Sequence, residues 1–168
     1  IWTRSISNRM KPCCPSLCLL LETYFPIGGS YLIYMDTTHD AQGADVDVAR
    51  RPITVGDPFK PEFRFAVSMV DVFGTVSASY TLNAWVENDW QEITFTGGAA
   101  IDSGAPSIIE LQIPLTLIGS PQFLNLAAVS TGRGRAHSAS DILGTTFTPA
   151  ETDTPLTLDQ FFPVDLSN

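Results

Sequence analysis

Cysteine is scarce in this chain, basic residues are half as numerous as acidic ones, histidine occurs twice, and no apolar run is long. Each scarcity removes a class of protein. The three cysteines, Cys13, Cys14 and Cys18, are odd in number and crowded into one short region, a poor disulfide framework. Their spacing lacks the paired arrangement and the fourth ligand of a structural zinc site, so they read as small apolar fillers with a free thiol. With 9 basic residues against 18 acidic ones the net charge is −9, the wrong sign for nucleic acid or an anionic membrane surface. No stretch approaches the roughly 18 apolar residues of a membrane span. The nearest approach to an export signal, Met10-Lys11 followed by Leu17–Leu21, is short, has no small-residue cleavage site after it, and reads as a strand. The chain begins at Ile1, so the expectation is a processed or excised module of a larger secreted protein, with its first strand cut short. Helix-length periodicity is missing too, which argues against a parallel βαβ architecture.

What is present is alternation. The chain has 168 residues, 44% of them hydrophobic and only 16% charged, with 12 Gly and 12 Pro scattered as turn signals. The clearest stretch is Val76–Phe95. Val76, Ala78, Tyr80, Leu82, Ala84 and Val86 are apolar at every second position, with Ser77, Ser79, Thr81 and Asn83 between them. Asn88-Asp89 suits a two-residue hairpin turn, because both side chains tolerate positive φ. That turn pairs Glu87 with Trp90, Trp85 with Glu92, Ala84 with Ile93 and Leu82 with Phe95. It puts Trp85, Trp90, Glu92 and Asn83 on the wet face, the two indoles at diagonal positions.

Further strands are expected at Trp2–Ile6, Leu17–Thr23, Tyr31–Met35, Glu62–Asp71, Ser107–Ile113 and Phe123–Ser130, with an edge strand near Leu156–Phe162. Tyr31–Met35 is apolar at nearly every position, as in a central strand with two dry faces. Leu115–Gly119 reads as a single helical turn after Pro114. Gly97–Pro106 and Thr131–Gly144 read as loops. About eight short strands separated by turns define an all-β, antiparallel two-sheet sandwich in one domain spanning residues 1–168.

Three pieces, taken in order, carry a family resemblance. The strand and acidic loop Tyr31–Asp45, the strand Pro61–Val67 with its acidic-aromatic-Arg pattern, and the strand, proline and helical turn Ser107–Gly119 resemble the corresponding parts of DOMON-like domains. These include family-nine carbohydrate-binding modules and the C-terminal domain of glucodextranase-like proteins. The resemblance spans Leu17–Gly144. It implies an extracellular, non-catalytic sandwich attached to something larger; the fold itself hosts sugar binding, haem binding and structural roles.

Four candidate sites emerge. Asp36, Asp40, Asp45 and Asp47 lie within one short loop, and calcium takes such hard oxygens. Thr38 stands where the related pattern often has Asp, and His39, a poor calcium ligand, is expected to point to solvent. The competing assignment is an Asp-rich turn that caps its own backbone. Haem would need a pair such as Met69 and His137, but Met69 falls on a core face with Phe63 and Phe65. Arg133, Arg135, His137, Ser138, Ser140 and Asp141 share a loop that opens no long helix, so it lacks a phosphate cradle, and neighbours in sequence rarely converge as a catalytic triad. Trp85 and Trp90, with Glu92 and Asn83, form an aromatic and polar face suited to the rings and hydroxyls of a polysaccharide or oligosaccharide. The rival role for the same indoles is packing against a neighbouring domain or partner. No residue set spells out an enzyme.

Overall fold

The computed structural model describes residues 4–7, 16–23, 30–55, 59–72, 75–96, 98–102, 107–131, 139–142, 155–159 and 161–167. Trp2, Cys13, Cys14, Arg133, Arg135, His137 and Ser138, and with them the second ligand of a haem pair, lie outside these residues.

The fold is an antiparallel sandwich. Its smaller sheet has the order β1 (Arg4–Ser7), β2 (Ser16–Thr23), β9 (Ser107–Pro114), β8 (Gly98–Asp102). The larger sheet runs from β10 (Phe123–Thr131) through β3 (Ser30–Asp36), β5 (Phe63–Val72) and β6 (Thr75–Val86) to β7 (Asp89–Ile93). Beyond β10, β13 (Phe162–Asp165) pairs with its first half and β11 (Ala139–Ile142) with its end, so two short strands share one edge. A small parallel pair, β4 (Ile53–Val55) with β12 (Leu156–Leu158), lies apart from both sheets. The only helical element among the described residues is the turn Leu115–Ile118, which stops where Gly119 enters the left-handed region at φ 82° and returns its N–H to Leu115 O.

The period-two pattern decides which side chains meet. Leu17 on β2 and Ile109, Leu111 and Ile113 on β9 face Tyr31, Ile33 and Met35 on β3, Phe65 and Val67 on β5, and Leu82 on β6 across one core. Near one end of that core Phe65, Tyr80 and Phe95 form an aromatic group with centroids 5.5 to 6.1 Å apart. The larger sheet is also dry over half of its outer face. There Leu32, Ala66, Ala127 and Val129 are covered by Ile53, Leu156 and Leu158 of the small parallel pair, with Val55 and Phe161 packed against them. This is why every residue of β3 is buried, as its unbroken apolar run predicts.

Three strands arise where the sequence reads as loop or carries no strand signal. β8 forms within Gly97–Pro106, β11 within Thr131–Gly144, and β4 just before the turn region at Asp57–Pro61. All three are short and sit at edges, where a neighbour's unpaired backbone recruits a segment of weak intrinsic preference. The hairpin turn also moves. Glu87 and Asn88, not Asn88-Asp89, occupy its two central positions, at φ 52° and 64°. Trp85 consequently faces Trp90 directly, Asn83 faces Glu92, and Leu82 faces Ile93.

One close approach holds the loop between β3 and β4. A Cβ on Gly43 would lie 2.5 Å from Lys60 O, a distance no side chain tolerates. The adjacent bond, Ala44 N–H to Pro61 O at 2.9 Å, needs the same proximity. Gly43→Ala should therefore cost about 1–3 kcal/mol, the usual penalty for forcing extra volume into a packed contact; urea denaturation measures it, and an unchanged midpoint would refute the close approach.

Candidate functional site

The other half of the outer face is polar, and its side chains stand in rows because neighbouring strands are in register. One row is Tyr34, Arg64, Asn83 and Glu92. The next begins with Asn125 and Asp36 and ends with Trp85 and Trp90. Glu62 stands between them, its N–H donating to Met35 O and its C=O accepting from Trp85 N–H.

Residues 37–52 fold back over these rows. Val46 and Pro52 form a β-bridge, and a tight turn closes with Asp47 N–H donating to Arg51 O and Arg50 N–H to Asp47 O. This delivers Asp47, 1% exposed, to Arg64, 0% exposed, with Nε 2.9 Å from Oδ1. The N–H is not aimed at that oxygen, so the contact is an ion pair rather than a directed hydrogen bond; neither Nε nor Nη2 of Arg64 has a hydrogen-bond partner among the described residues. Tyr34 Oη donates to the same Oδ1 at 3.0 Å, and Arg64 Nη1 donates to Asn83 Oδ1 at 3.3 Å. Burial, and after it the charge of Asp47, holds the Tyr34 phenol well above its ordinary range. Two lesser ties reach the β6–β7 hairpin: Trp90 Nε1 donates to Val46 O at 2.7 Å, and Arg50 meets Asp89 at 3.1 Å on the surface.

The four loop aspartates do not converge. Asp36 is fully buried, where Oδ1 accepts from His39 N–H at 2.8 Å and Oδ2 from Asn125 Nδ2 at 3.1 Å. Asp40 caps its own loop through Gln42 N–H at 2.7 Å. Asp45 is exposed, 4.0 Å from Lys60 Nζ, and Asp47 is committed to Arg64 and Tyr34. No group of three or more metal-ligating side chains forms among the described residues. Among the described residues the side-chain donors do not converge as the six to eight oxygens of a calcium site would; Asp36, Asp40 and Asp47 are engaged within the fold, and Asp45 faces water. His39 is exposed, as expected, but its ring is not without partners. It takes φ 58°, its Nδ1 lies 2.8 Å from Asn125 Nδ2, and its Nε2 lies 3.3 Å from Phe123 O. With Nδ1 accepting from the amide, the network assigns the proton to Nε2. Thr38 has its own partner: Oγ1 donates to Glu62 Oε1 at 2.7 Å, where an aspartate would meet a like charge.

Between this loop and the hairpin lies an open cleft of about 830 Å³. Trp85 lines it, with Glu62, Asp40, Asp45, Lys60 and Asn88 among the polar groups around the ring. Of the four residues picked out from the sequence as a sugar face, only Trp85 lines this cleft. Trp90 is half-buried beneath the loop and meets Trp85 edge-on, centroids 5.3 Å apart at 67°. Asn83 is buried and engaged by Arg64, while Glu92 is exposed one row away. Sequence reasoning passed over Glu62, Lys60 and the anchor formed by Arg64, Asp47 and Tyr34. Glu62 and Arg64 carried a signal, as the acid and the cation of the acidic-aromatic-Arg strand Pro61–Val67.

Glu62 is the most constrained acid of the cleft. Its Oε2 accepts from Thr37 N–H at 2.7 Å and Thr37 Oγ1 at 3.1 Å. These bonds favour the ionised form, yet burial outweighs them and raises the carboxyl above its ordinary value of 4.5. Compared with family models, curated proteins and solved structures, the chain matches none of them. The class its architecture defines is the antiparallel all-β sandwich.

Two outcomes are expected. Asp47→Ala strands a buried guanidinium and should cost about 3–5 kcal/mol in denaturant unfolding, whereas Asp47→Leu with Arg64→Met should recover most of it. An equally unstable double variant would contradict the ion pair's role. For Glu62 the raised folded pKa means the native state holds the proton more tightly than the unfolded chain. Stability from that proton is present at low pH and declines as pH rises through the window above 4.5. Wild type should therefore lose stability relative to Glu62→Gln across that window; a relative gain would reverse the assignment.

Proposed function

We propose that this protein is a non-catalytic, extracellular carbohydrate-binding module that holds a polysaccharide or oligosaccharide chain in the cleft beside Trp85. The observation that carries the proposal is an indole lining an open cleft whose other walls are carboxylates, amides and a lysine. Pyranose rings present apolar C–H faces that stack on an aromatic ring, while their hydroxyls need donors and acceptors around it; Asn88, Lys60 and Glu62 supply both kinds. Trp90 acts from behind, bracing Trp85 edge-on while its own N–H is tied to Val46 O. The resemblance to family-nine carbohydrate-binding modules points the same way.

A second role, as a structural or interaction domain for a neighbouring domain or subunit, draws on one observation. Among the described residues β7 pairs only with β6, so its outer edge offers backbone groups for an added strand.

Affinity electrophoresis through a panel of soluble polysaccharides separates the two. Retention by at least one glycan, lost in Trp85→Ala and kept in Trp85→Phe with an unchanged circular dichroism spectrum, is the expected result. Unchanged retention in Trp85→Ala would remove the site. Absence of retention throughout, together with dimerisation that rises with concentration, would favour the interaction domain.

A further inference from the structure

The charge around the indole is strongly one-sided. Asp40, Asp45, Glu62 and Glu87 line the cleft against Lys60 alone. The lysine offsets little, since it reaches only Asp45, at 4.0 Å, across an exposed gap. Asp36 adds negative charge behind Glu62, raising its pKa further. Arg50 is spent on Asp89 at the surface, and Arg64 on Asp47 within the fold. The acids are spread along the walls of a cleft rather than gathered at a point, so the arrangement does not suit a metal ion, whose donors must converge within about 2.6 Å. It suits a larger ligand carrying positive charge at intervals.

We propose that the cleft selects glycans bearing protonated amines, of the glucosamine type, over neutral glycans and over those bearing uronic acids. The inference rests on the carbohydrate-binding proposal and adds the ligand's charge to it. A pyranose stacked on Trp85 places the substituents of its ring edge towards the cleft walls. An ammonium there meets carboxylates on the walls and the negative face of the indole, and both attract it. An N-acetyl group keeps the stacking and loses the charge. A uronate faces four carboxylates and is repelled. Asp45 and Glu87, both exposed, are free to reorient towards the amine, whereas Glu62 is held in place by Thr37 and Thr38.

The test is isothermal titration of the whole chain with three oligomers of matched length: glucosamine, N-acetylglucosamine and galacturonate. Mildly acidic pH keeps the amines protonated, and both low and physiological salt are used. The glucosamine oligomer should bind at least about tenfold tighter than its N-acetylated counterpart, the ratio one charge-assisted contact yields. The ratio should fall as salt rises. Asp45→Asn combined with Glu62→Gln should bring it close to one, and Trp85→Ala should abolish binding of both sugars. Equal or tighter binding of the N-acetylated oligomer would overturn the charge selectivity while leaving sugar binding intact. Competition by polylysine as effective as that of the glucosamine oligomer would overturn it too, because the cleft would then be reading charge without the ring. Failure to bind any oligosaccharide would instead remove the carbohydrate-binding proposal on which it stands.

Discussion

The buried contact between Arg64 and Asp47 is the constraint on which the outer architecture depends. Arg64 stands on a central strand, its side chain aimed at the outer face, and is fully excluded from water. A guanidinium in that position is tolerable only with a carboxylate beside it and acceptors around it. Asp47 supplies the charge, Asn83 an acceptor, and Tyr34 completes the carboxylate's own bonding. Asp47 comes from the loop between β3 and β4, so satisfying Arg64 requires that loop to lie down on the sheet. Bringing it down closes the cover over the polar rows and raises one wall of the cleft.

The larger sheet is thus a layer with two covers. Its inner face meets the smaller sheet through a continuous apolar core. Its outer face is divided: the row of Val129, Leu32 and Ala66, with Ala127 and Tyr34 of the next row, is dry and sealed by the parallel pair β4 and β12, whereas the rest of that next row, through Arg64 and Asn83, and the row through Glu62 are polar and lie under loop 37–52. The boundary between the covers runs through the row Ala127, Tyr34, Arg64 and Asn83, which is dry at its β10 and β3 end and polar from Arg64 onward. On the polar side the two tryptophans have different fates. They share a face and touch each other, but Val46 lies over Trp90 and the cleft opens at Trp85.

That separation shapes the proposed chemistry. The cleft sets one aromatic ring among acids, with one lysine and amides nearby. Of its carboxylates, Glu62 is tied to threonines, Asp40 caps its own loop, and Asp45 and Glu87 are open to solvent. The Asp-rich loop shows how composition misleads about a site. Four aspartates in twelve residues suggest a cation, yet two of them turn inward to different partners, one caps the loop and one faces water. Local capping and a distant arginine are stronger claims on a carboxylate than an ion whose other ligands are missing.

The alternation of apolar and polar residues was enough to determine the all-β sandwich, the central burial of β3, strands expected at Glu62–Asp71 and Ser107–Ile113 and found within one residue of those bounds, and the shared face of Trp85, Trp90, Asn83 and Glu92. It could not determine the hairpin register. Moving the turn by one residue shifts every cross-strand partner by two, and a period of two is blind to that shift. Only the folded chain chose the pairing that sets Trp85 against Trp90, where Trp90 can also reach Val46. The edge strands β4, β8 and β11 were hidden for a related reason, since their preference comes from the neighbour they complete and not from their own residues. The cleft was beyond the sequence altogether. Its walls come from residues 38–46, 60–62 and 85–88, and nothing local to any of the three segments records that an ion pair between Asp47 and Arg64 draws the first onto the others.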